Sequence, residues 1–535
     1  MSKLRLLALL LVLLPARQAG SSAVGEDVVH GTVVINTTAS IASTDEQFIC
    51  ATLDWWPQEK CDYGTCSWGR ASILNLNLSS HILLNAVKAF STLRLRLGGT
   101  LQDKVLYDTG ELGHSCKPFV QNSSAMFGFN EGCLTMSRWD QLNEFFQHAR
   151  ATVVFGLNLL NGRFLQPDGS QGGPWNYTNA AFLINYTVTK GYNIYGWEMG
   201  NELSGSGIGA RINADTYAVD LFSFRTILDK IYHGHPTKPL LLAPGGFFDE
   251  HWYAEFINKA TASSSLDVVT HHMYSLGAGV DEHLVERILD PSYLDGAAST
   301  FKALMSILNK VNRSTTAWVG EAGGAYNSGH NLVTNSFVSS FWYLDQLGMS
   351  AANGHKVYCR QSLIGGNYGL LNTTTFEPNP DYYSALLWHR LMGQKVLSTN
   401  FNGTKKIRAY ANCARESKGI TLLLLNLDSN TTALVRLGTK TTKLEVLTKA
   451  RLRSNFGTQA HSEAGEIREE YHLTAKNGNL HSQAMLLNGQ VLEVSPQGDI
   501  PALKPSVVDY SQPIKVTPLS IVFAHIPYLT MPACQ

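Results

Sequence analysis

The stretch 195-YGWEMGNELSG-205 places two glutamates, Glu198 and Glu202, four residues apart at the end of an apolar run. A short apolar run bounded by turn residues predicts a buried strand. Acidic side chains at such a position are costly to bury unless they are paired or used. The pattern therefore indicates a functional position, and the place of this strand in the whole chain decides which function.

Seven similar runs accompany it, which makes eight strand candidates between residues 47 and 363: FICATLDW, LRLRLGG, TVVFGLN, YGWEMGNE, PLLLAPG, DVVTHHMY, TAWVGEAGG and KVYCRQSL. Helical patterns lie between most of them, at 137–149, 214–232 and 298–311, with Ser137 as the predicted N-cap of the first. Strands that alternate with helices favour parallel pairing, and eight of them fit a closed barrel. We predict an α/β fold with a (β/α)₈ TIM barrel over residues 47–385.

The pattern changes in the C-terminal part, where short β-rich runs follow one another with turn residues between them. This is typical of antiparallel sheets. We predict a C-terminal antiparallel β-sandwich domain over residues 386–535. The early run VHGTVVI lies in a segment, residues 24–46, that we expect to pair into this sandwich.

The N-terminus has the layout of a cleaved signal peptide, which we assign to residues 1–23. Lys3 and Arg5 precede the apolar block 6–14, and small residues follow. We expect a protein of the secretory pathway with no integral membrane segment after signal removal. It would be secreted to the extracellular space, in a cell wall or matrix; a lysosome, a vacuole and the periphery of a membrane are alternatives.

Nine Asn-x-Ser/Thr sequons agree with export: Asn36, Asn77, Asn122, Asn176, Asn185, Asn312, Asn372, Asn402 and Asn430. Basic and acidic side chains balance at 42 each, which predicts no nucleic-acid partner. No metal site and no cofactor are expected, because the chain has neither paired CxxC motifs nor a glycine-rich phosphate loop after a strand. Cys50 and Cys359 lie inside apolar runs and are predicted to be buried free thiols.

Functional groups of a TIM barrel gather at the C-terminal ends of its strands. Glu202 closes the fourth predicted strand and Glu321 the seventh, while Asp54 and Asp103 lie near the ends of the first and second. Two carboxyl groups that face one sugar are what glycoside hydrolysis requires, one as acid and the other as nucleophile or base. The sequence therefore predicts a glycosidase with Glu202 and Glu321 as its catalytic pair.

Two neighbours of Glu202 receive different interpretations. Glu198 lies within the strand, and we expect it to be a buried, hydrogen-bonded structural acid. Asn201 can donate its carboxamide to a sugar 2-hydroxyl, a contact that strengthens in the transition state.

The motifs WEMGNE (197–202), WVGEAGGAY (318–326), RLRLGGTLQD (94–103) and RQSLIGGNYGL (360–370) resemble glycoside hydrolase family 79, the heparanase and β-glucuronidase family, and plant heparanase-like proteins in particular. The resemblance implies a retaining mechanism with Glu202 as acid/base and Glu321 as nucleophile. It also implies a Cys413–Cys534 disulfide. Substrate-binding positions that it implies are Asp54, Thr100, Asn201, His272, Tyr326, Gln361 and Tyr368, with backbone amides around Gly366 and Asn367 facing the uronic carboxylate. His271 and His272 fit a place near the nucleophile and ordinary packing equally well.

The predicted substrate is a β-D-glucuronide, either a terminal glucuronic acid on a glycan or the glucuronide of a small aromatic compound. The loops LSGSGIGA, GGFFDEHW and SLGAGVDE offer no Lys or Arg for a sulphate. Cleavage of heparan-sulphate-like chains, a neutral β-glycoside or arabinofuranoside substrate, and a glycan-binding barrel without turnover are the alternatives. We expect the two carboxyl groups about 5–5.5 Å apart, and the ionised nucleophile should raise the pKa of Glu202.

Overall fold

Eight parallel strands close into a barrel in the computed structural model, which describes residues 27–110, 115–262, 265–311, 314–439 and 467–535. Each strand pairs with the next, and the eighth pairs with the first. The barrel strands, first to eighth, are Ile49–Asp54, Arg94–Gly98, Thr152–Leu157, Gly196–Met199, Leu240–Phe247, Val268–Met273, Thr316–Ala322 and Val357–Arg360. All eight predicted strands are present, and the predicted barrel is confirmed.

Helices cover the outside of the barrel. The helices of the described residues are His81–Lys88, Met136–Ala149, Thr178–Thr189, Ala214–Ile231, Glu250–Ala262, Leu284–Ile288, Pro291–Asp295, Ala298–Val311, Ser339–Ala352 and Pro380–Leu391. The predicted N-cap of the second was wrong. Its cap is Thr135, whose hydroxyl accepts from the Arg138 amide at 3.2 Å, and Ser137 is already inside the helix.

The loops contain short strands and 3₁₀ turns. Three two-stranded ladders are Val105–Asp108 with Gly132–Thr135, Phe164–Leu165 with Gln171–Gly172, and Gly277–Ala278 with Ala325–Tyr326. Single 3₁₀ turns are Thr100–Lys104, Met126–Gly128, Gly366–Tyr368, Lys476–Gly478 and Pro532–Cys534.

A second, larger sheet packs beside the barrel. Its eleven strands are Asp27–Ser43, Met392–Asn402, Ile407–Ala414, Ile420–Asn426, Thr431–Thr439, Ile467–Ala475, Met485–Leu487, Gln490–Val491, Ser506–Asp509, Ile514–Val516 and Ile521–Ile526. They form one hydrogen-bonded sheet that folds back on itself, because strands far apart in the sheet order, Ile420–Asn426 and Ile514–Val516, contribute to one core. The predicted boundary at 385/386 falls inside the helix Pro380–Leu391. The strand Met392–Asn402 of this sheet follows the helix directly.

The N-terminal strand Asp27–Ser43 lies within this sheet, as predicted. It runs antiparallel to Met392–Asn402 on one side and parallel to Thr431–Thr439 on the other. The second pairing departs from the antiparallel expectation. Every other strand pair of this sheet, in the described part of the chain, is antiparallel.

The two parts of the molecule share one apolar core. Side chains alternate between the faces of a strand, and in Ile420–Asn426 one face carries Leu423 and Leu425 into the core that covers the barrel. Leu422 and Leu424 point into a separate core on the opposite face of the sheet. Because both faces are buried, the strand is a continuous apolar run, and the two parts pack closely.

Four disulfides join the eight cysteines: Cys50–Cys359, Cys61–Cys66, Cys116–Cys133 and Cys413–Cys534. The last is the pair that the family resemblance implies. The prediction of free thiols at Cys50 and Cys359 was wrong, because the first and eighth barrel strands are neighbours and bring the two residues into register.

The predicted export features fall partly outside the described residues. The signal peptide and the Asn312 sequon lie there. Of the other eight sequon asparagines, Asn77, Asn176, Asn185, Asn402 and Asn430 are exposed and the rest are half-buried. No helix of the described segments is both long and apolar enough to span a bilayer.

Candidate active site

Glu202 and Glu321 meet at the C-terminal mouth of the barrel. Glu321 is the penultimate residue of the seventh strand, whereas Glu202 lies three residues beyond the fourth strand with a left-handed φ of 55°. A carboxylate oxygen of one lies within 4.8 Å of a carboxylate oxygen of the other. Retaining glycosidases hold their carboxyl groups about 5–5.5 Å apart and inverting ones about 6.5–9.5 Å apart. The observed approach fits the retaining arrangement.

Arg96, on the second barrel strand, connects three groups of the site. Its Nη1 donates to Glu321 Oε2 at 2.7 Å, its Nε to Glu198 Oε2 at 2.6 Å, and its Nη2 to Asn201 Oδ1 at 2.9 Å. Glu198 also accepts from the Thr270 hydroxyl at 2.7 Å, which makes it the buried, hydrogen-bonded acid that we expected. One guanidinium therefore fixes the nucleophile candidate and the carboxamide beside Glu202.

Glu321 has a second donor on its other oxygen. The Tyr274 hydroxyl donates to Oε1 at 2.6 Å. Burial raises the pKa of Tyr274 well above its usual value, and Glu321 raises it further, so the hydroxyl keeps its proton. Each Glu321 oxygen thus accepts one charge-assisted hydrogen bond, and the carboxylate is held in a fixed orientation.

Glu202 has a different environment, since its carboxyl group is buried and no Lys or Arg among the described residues is in direct contact with it. Its Oε1 lies 2.9 Å from Nδ1 of His272. Burial raises the pKa of Glu202 to about 7, and Arg96 opposes the shift. The direction matches the prediction, but desolvation is the main cause where we expected repulsion by Glu321. Burial likewise lowers the pKa of His272 to about 4, so this imidazole is neutral.

The two adjacent histidines have different surroundings. His272 faces the barrel mouth and contacts the acid candidate Glu202. We had expected a functional histidine to lie near the nucleophile candidate Glu321 instead. His271 faces the other way, where its Nε2 lies 3.0 Å from Nε2 of His355 and its ring packs against Phe301. His271 is an ordinary packed histidine.

Asp54, Gln361 and Tyr368 form a polar cluster at the ends of the first and eighth strands. Asp54 Oδ2 accepts from Gln361 Nε2 at 3.1 Å, and its Oδ1 accepts from the Trp55 amide at 2.7 Å. Gln361 Nε2 also lies 3.5 Å from the Tyr368 hydroxyl. Burial raises the pKa of Asp54 to about 7, and the charge of Glu321 adds to the shift. The structure thus brings together three residues that the resemblance assigned to the glycone subsite.

Asn201 is held by its backbone and by one side-chain atom. Its amide donates to Asp103 Oδ2 at 2.8 Å, and its Oδ1 accepts from Arg96. Its Nδ2 is buried and has no hydrogen-bond partner within the described residues. A buried donor without a partner is costly, so this nitrogen suits a ligand hydroxyl.

The other predicted binding positions differ in their burial. Thr100 is half-buried at the start of a 3₁₀ turn, and Tyr326 is 42% exposed on the rim. The Asn367 amide, which we expected to face the uronic carboxylate, donates to the Ser328 carbonyl at 2.7 Å in this structure, and its contact with a substrate stays a prediction. The neighbouring Gly366 has a φ of 66°.

The comparison with known families decides between the glycosidase classes that share this barrel. The profile of "Glycosyl hydrolase family 79, N-terminal domain" matches residues 30–348. This chain belongs to glycosyl hydrolase family 79.

Relatives within family 79 cover almost the whole chain. Heparanase-like protein 3 of Arabidopsis thaliana is 54% identical over 96% of both chains. Baicalin-beta-D-glucuronidase of Scutellaria baicalensis is 43% identical over 96% of this chain and 95% of that protein. Heparanase of Bos taurus is 28% identical over 76% of this chain and 70% of that protein.

Solved structures reproduce the fold of this family 79 chain. A 4-O-α-L-rhamnosyl-β-D-glucuronidase from Fusarium oxysporum superimposes with a TM-score of 0.62 at 15% identity, over 92% of this chain and all of that one. A family 51 arabinofuranosidase from Xanthomonas axonopodis gives a TM-score of 0.62 at 15% identity, over 93% of this chain and all of that one. At this identity the likeness establishes the architecture alone.

Two groups of side chains in the described part of the family 79 chain have metal-ligand spacing. Glu202, His272 and Glu321 form one, but the Arg96 guanidinium on Glu321 opposes a second cation there. Asp108, Cys116 and Cys133 form the other, in which the two sulfurs are already joined as a disulfide. Neither group has the free anionic ligands that a metal ion prefers.

Arg96 and Tyr274 belong to the site but were not predicted from the sequence. Arg96 had a detectable signal, because two arginines in the predicted strand LRLRLGG must find partners once the strand is buried. Arg94 satisfies this need at the opposite end, between the rings of Tyr195 and Trp318. Tyr274 follows the sixth strand and had no distinguishing signal.

Proposed function

We propose that this protein is a retaining glycoside hydrolase that cleaves β-D-glucuronides by double displacement. The observation that carries the proposal is the approach of the Glu202 and Glu321 carboxylates to within 4.8 Å, with one buried and the other bound by a guanidinium. The family membership supports the reaction class. The name of the Scutellaria baicalensis relative, a β-D-glucuronidase, supports the choice of sugar.

In the first step Glu321 attacks the anomeric carbon and forms a glycosyl ester. Arg96 and Tyr274 hold its two oxygens in place for the attack. The bond to the leaving oxygen breaks as Glu202 transfers its proton to that oxygen. We assign the His272 proton to Nδ1, so that this nitrogen donates to Glu202 Oε1 and leaves Oε2 to carry the catalytic proton.

In the second step Glu202, now ionised, removes a proton from water. The water oxygen attacks the anomeric carbon, the ester bond to Glu321 breaks, and glucuronic acid leaves with its original configuration. The proton taken from water restores the acid form of Glu202, and the enzyme is back in its starting state. Asn201 Nδ2, which has no hydrogen-bond partner among the described residues, would donate to the sugar 2-hydroxyl in both steps.

The preferred substrates on this proposal are unsulphated. The loops after the fourth, fifth and sixth strands contain no Lys or Arg over residues 202–210, 245–258 and 274–282, and they contain Asp249 and Asp281. Arg287, which follows the sixth-strand loop, is already paired with Asp281 at 2.6 Å, so a sulphate group would find no unpaired Lys or Arg on these segments. We therefore favour plain glucuronides over heparan-sulphate-like chains.

The proposal includes an exported, glycosylated protein. The signal-like N-terminus and the nine sequons support it. No described sequon asparagine is buried, so none of the eight needs unfolding for modification. Mass spectrometry of the secreted protein, with its mature N-terminus and glycan masses, tests this part.

Rates of hydrolysis of aryl glycosides that differ in their sugar test whether the protein is a hydrolase and which sugar it prefers. The purified protein should hydrolyse phenyl β-D-glucuronide far faster than phenyl β-D-glucoside or an aryl arabinofuranoside. Preference for a neutral sugar would refute the substrate class, and binding without turnover would refute the enzyme proposal.

Variants of the carboxylates test their roles. Glu321→Ala should lose about 10⁴-fold or more in kcat, with partial rescue by azide, which occupies the vacated space and attacks the sugar. Glu202→Ala should lose far less on substrates with good leaving groups, because these depart without a proton. Equal losses on every substrate would contradict the assignment.

A further inference from the structure

An aromatic ring lies exposed beside the reacting groups and has no part in the mechanism above. Phe247 is the last residue of the fifth barrel strand, and 37% of it is exposed. Its ring centroid lies 6.0 Å from that of Tyr274, whose hydroxyl contacts Glu321. An exposed phenyl ring this close to a nucleophile is available to a bound substrate.

The position of Phe247 in the barrel places it opposite the glycone cluster. Asp54 ends the first strand, and four strand positions separate the first from the fifth in either direction around the closed barrel. If the glucuronic acid ring lies toward Asp54, Gln361 and Tyr368, the group that leaves points toward the fifth strand. Phe247 is then on the leaving-group side.

Contacts of Glu202 support this placement. Its amide donates to the Gly245 carbonyl at 2.7 Å, two residues before Phe247, and its carbonyl accepts from the Ile208 amide at 2.9 Å. Phe247 is also the backbone partner of His272, which contacts the Glu202 carboxyl group. The leaving oxygen must lie within hydrogen-bonding reach of that carboxyl group, so the group it carries emerges next to Phe247.

The segment after Glu202 is apolar or neutral, whereas the fifth loop adds the acid Asp249, which lies against Gly205. Ile208 is 45% exposed, and the segment 203–210 consists of Leu, Ile, Ala, Ser and Gly residues only. Hydroxyl-rich sugars need many hydrogen-bond partners, whereas a planar aromatic group needs an apolar face to stack on. This side of the site suits the second kind of group.

We propose that Phe247 is the stacking platform of the leaving-group subsite, and that the enzyme selects β-D-glucuronides of planar aromatic alcohols. The inference rests on the proposed function, since it presupposes glucuronide hydrolysis with Glu202 as the acid. It adds the identity of the leaving group and the residue that selects it.

Inhibitors with a planar aromatic or a saturated leaving group test the proposal. We would measure inhibition constants of 2-naphthyl and cyclohexyl 1-thio-β-D-glucuronide, which resist hydrolysis, against turnover of phenyl β-D-glucuronide. Phe247→Ala should weaken the naphthyl inhibitor about fivefold to tenfold more than the cyclohexyl one, as expected for the loss of one stacked ring. Phe247→Trp should restore the preference.

Phe222→Ala is the matched control, because Phe222 is an exposed phenylalanine on the helix Ala214–Ile231 and should leave both inhibition constants unchanged. Equal weakening of both inhibitors by Phe247→Ala, or no weakening of either, would overturn the proposal while wild-type turnover leaves the glucuronidase function intact. Absence of wild-type turnover would instead refute the proposed function itself.

Discussion

The Tyr274 hydroxyl is the clearest residue-scale test of how the nucleophile is held. Tyr274→Phe removes one donor from Glu321 and keeps the ring that packs against Phe247. A hydrogen bond to a charged group contributes about 1.5–3 kcal/mol, so kcat/KM should fall about tenfold to hundredfold. The measurement is steady-state turnover of phenyl β-D-glucuronide. Tyr528→Phe, at an exposed tyrosine in the turn after the last strand of the second sheet, is the control, and equal activity of the two variants would contradict the role.

The protonation of Glu202 predicts a pH profile. Its pKa is raised to about 7 by burial, and the acid form is the one that starts the reaction. The value of kcat/KM should therefore fall as the pH rises through about 7. Asp54 has a similarly raised pKa, so the profile is also measured in Glu202→Ala with an activated aryl substrate. The basic limb should disappear in this variant; its persistence would assign the limb to Asp54.

For single residues, the catalytic acids can be predicted from the sequence better than the side chains that hydrogen-bond to them. Glu202 and Glu321 could be found because each follows a recognisable strand at the functional end of a barrel. Arg96 could not be assigned to them, since its partners Glu198 and Glu321 lie 102 and 225 residues further along the chain. The backbone bond that occupies the Asn367 amide was equally invisible, because its acceptor belongs to another loop.

The turn after the second barrel strand is the element-scale feature that shapes the glycone cluster. Gly99 has a φ of 101° and a ψ of 177°, a conformation that is almost confined to glycine. A Cβ there would stand 2.4 Å from Asp54 Oδ2. The absence of a side chain at this position leaves room for the Asp54 carboxyl group.

Gly99→Ala should therefore damage both stability and activity. Strain and overlap together should reduce the free energy of unfolding by about 2–4 kcal/mol and lower glucuronide turnover. Gly64→Ala is the matched control, because Gly64 also has a positive φ but nothing within 4 Å of the added Cβ, and should cost only about 1–2 kcal/mol. Thermal unfolding and turnover are measured on both. Equal effects would show that Asp54 moves aside freely.

Elements with a clear period were predictable, and contacts between distant elements were not. The alternation of strands and helices predicted all eight barrel strands. The cap at Thr135 was missed because Ser137, two residues later, is an equally good capping residue in the sequence. The Cys50–Cys359 bond was missed because it depends on the first and eighth strands meeting when the barrel closes.

On the scale of the whole molecule, the N-terminal strand joins two parts of the second sheet, because it pairs with Met392–Asn402 on one side and Thr431–Thr439 on the other. Val33 of this strand is fully buried in the sheet core, whereas Val28 is 51% exposed. Val33→Asp should destabilise the protein by more than about 4 kcal/mol and prevent its accumulation, because the carboxylate has no partner there.

Val28→Asp is the comparison on the same strand, and we expect a change within about 0.5 kcal/mol. Yield of folded protein and its thermal midpoint are the measurements. Similar yields from the two variants would mean that the strand is not needed for the sheet to form.

The arrangement of the second sheet was only partly predictable. Its individual strands follow from alternating apolar residues and turns, which favour antiparallel neighbours along the chain. The parallel ladder between Asp27–Ser43 and Thr431–Thr439 joins segments about 400 residues apart, and no local pattern encodes it.

The pairing of the N-terminal strand with Met392–Asn402 has a consequence for biosynthesis. Ser43 pairs with Lys395, so the ribosome must add 352 more residues before the first strand meets its neighbour. At about 5–20 residues per second, the interval is roughly 20 to 70 s. Throughout it, the nascent chain carries an apolar strand with open hydrogen-bonding edges, which is the kind of segment that chaperones shield. The first strand of this enzyme therefore begins to pair only after nearly three quarters of the chain has been translated.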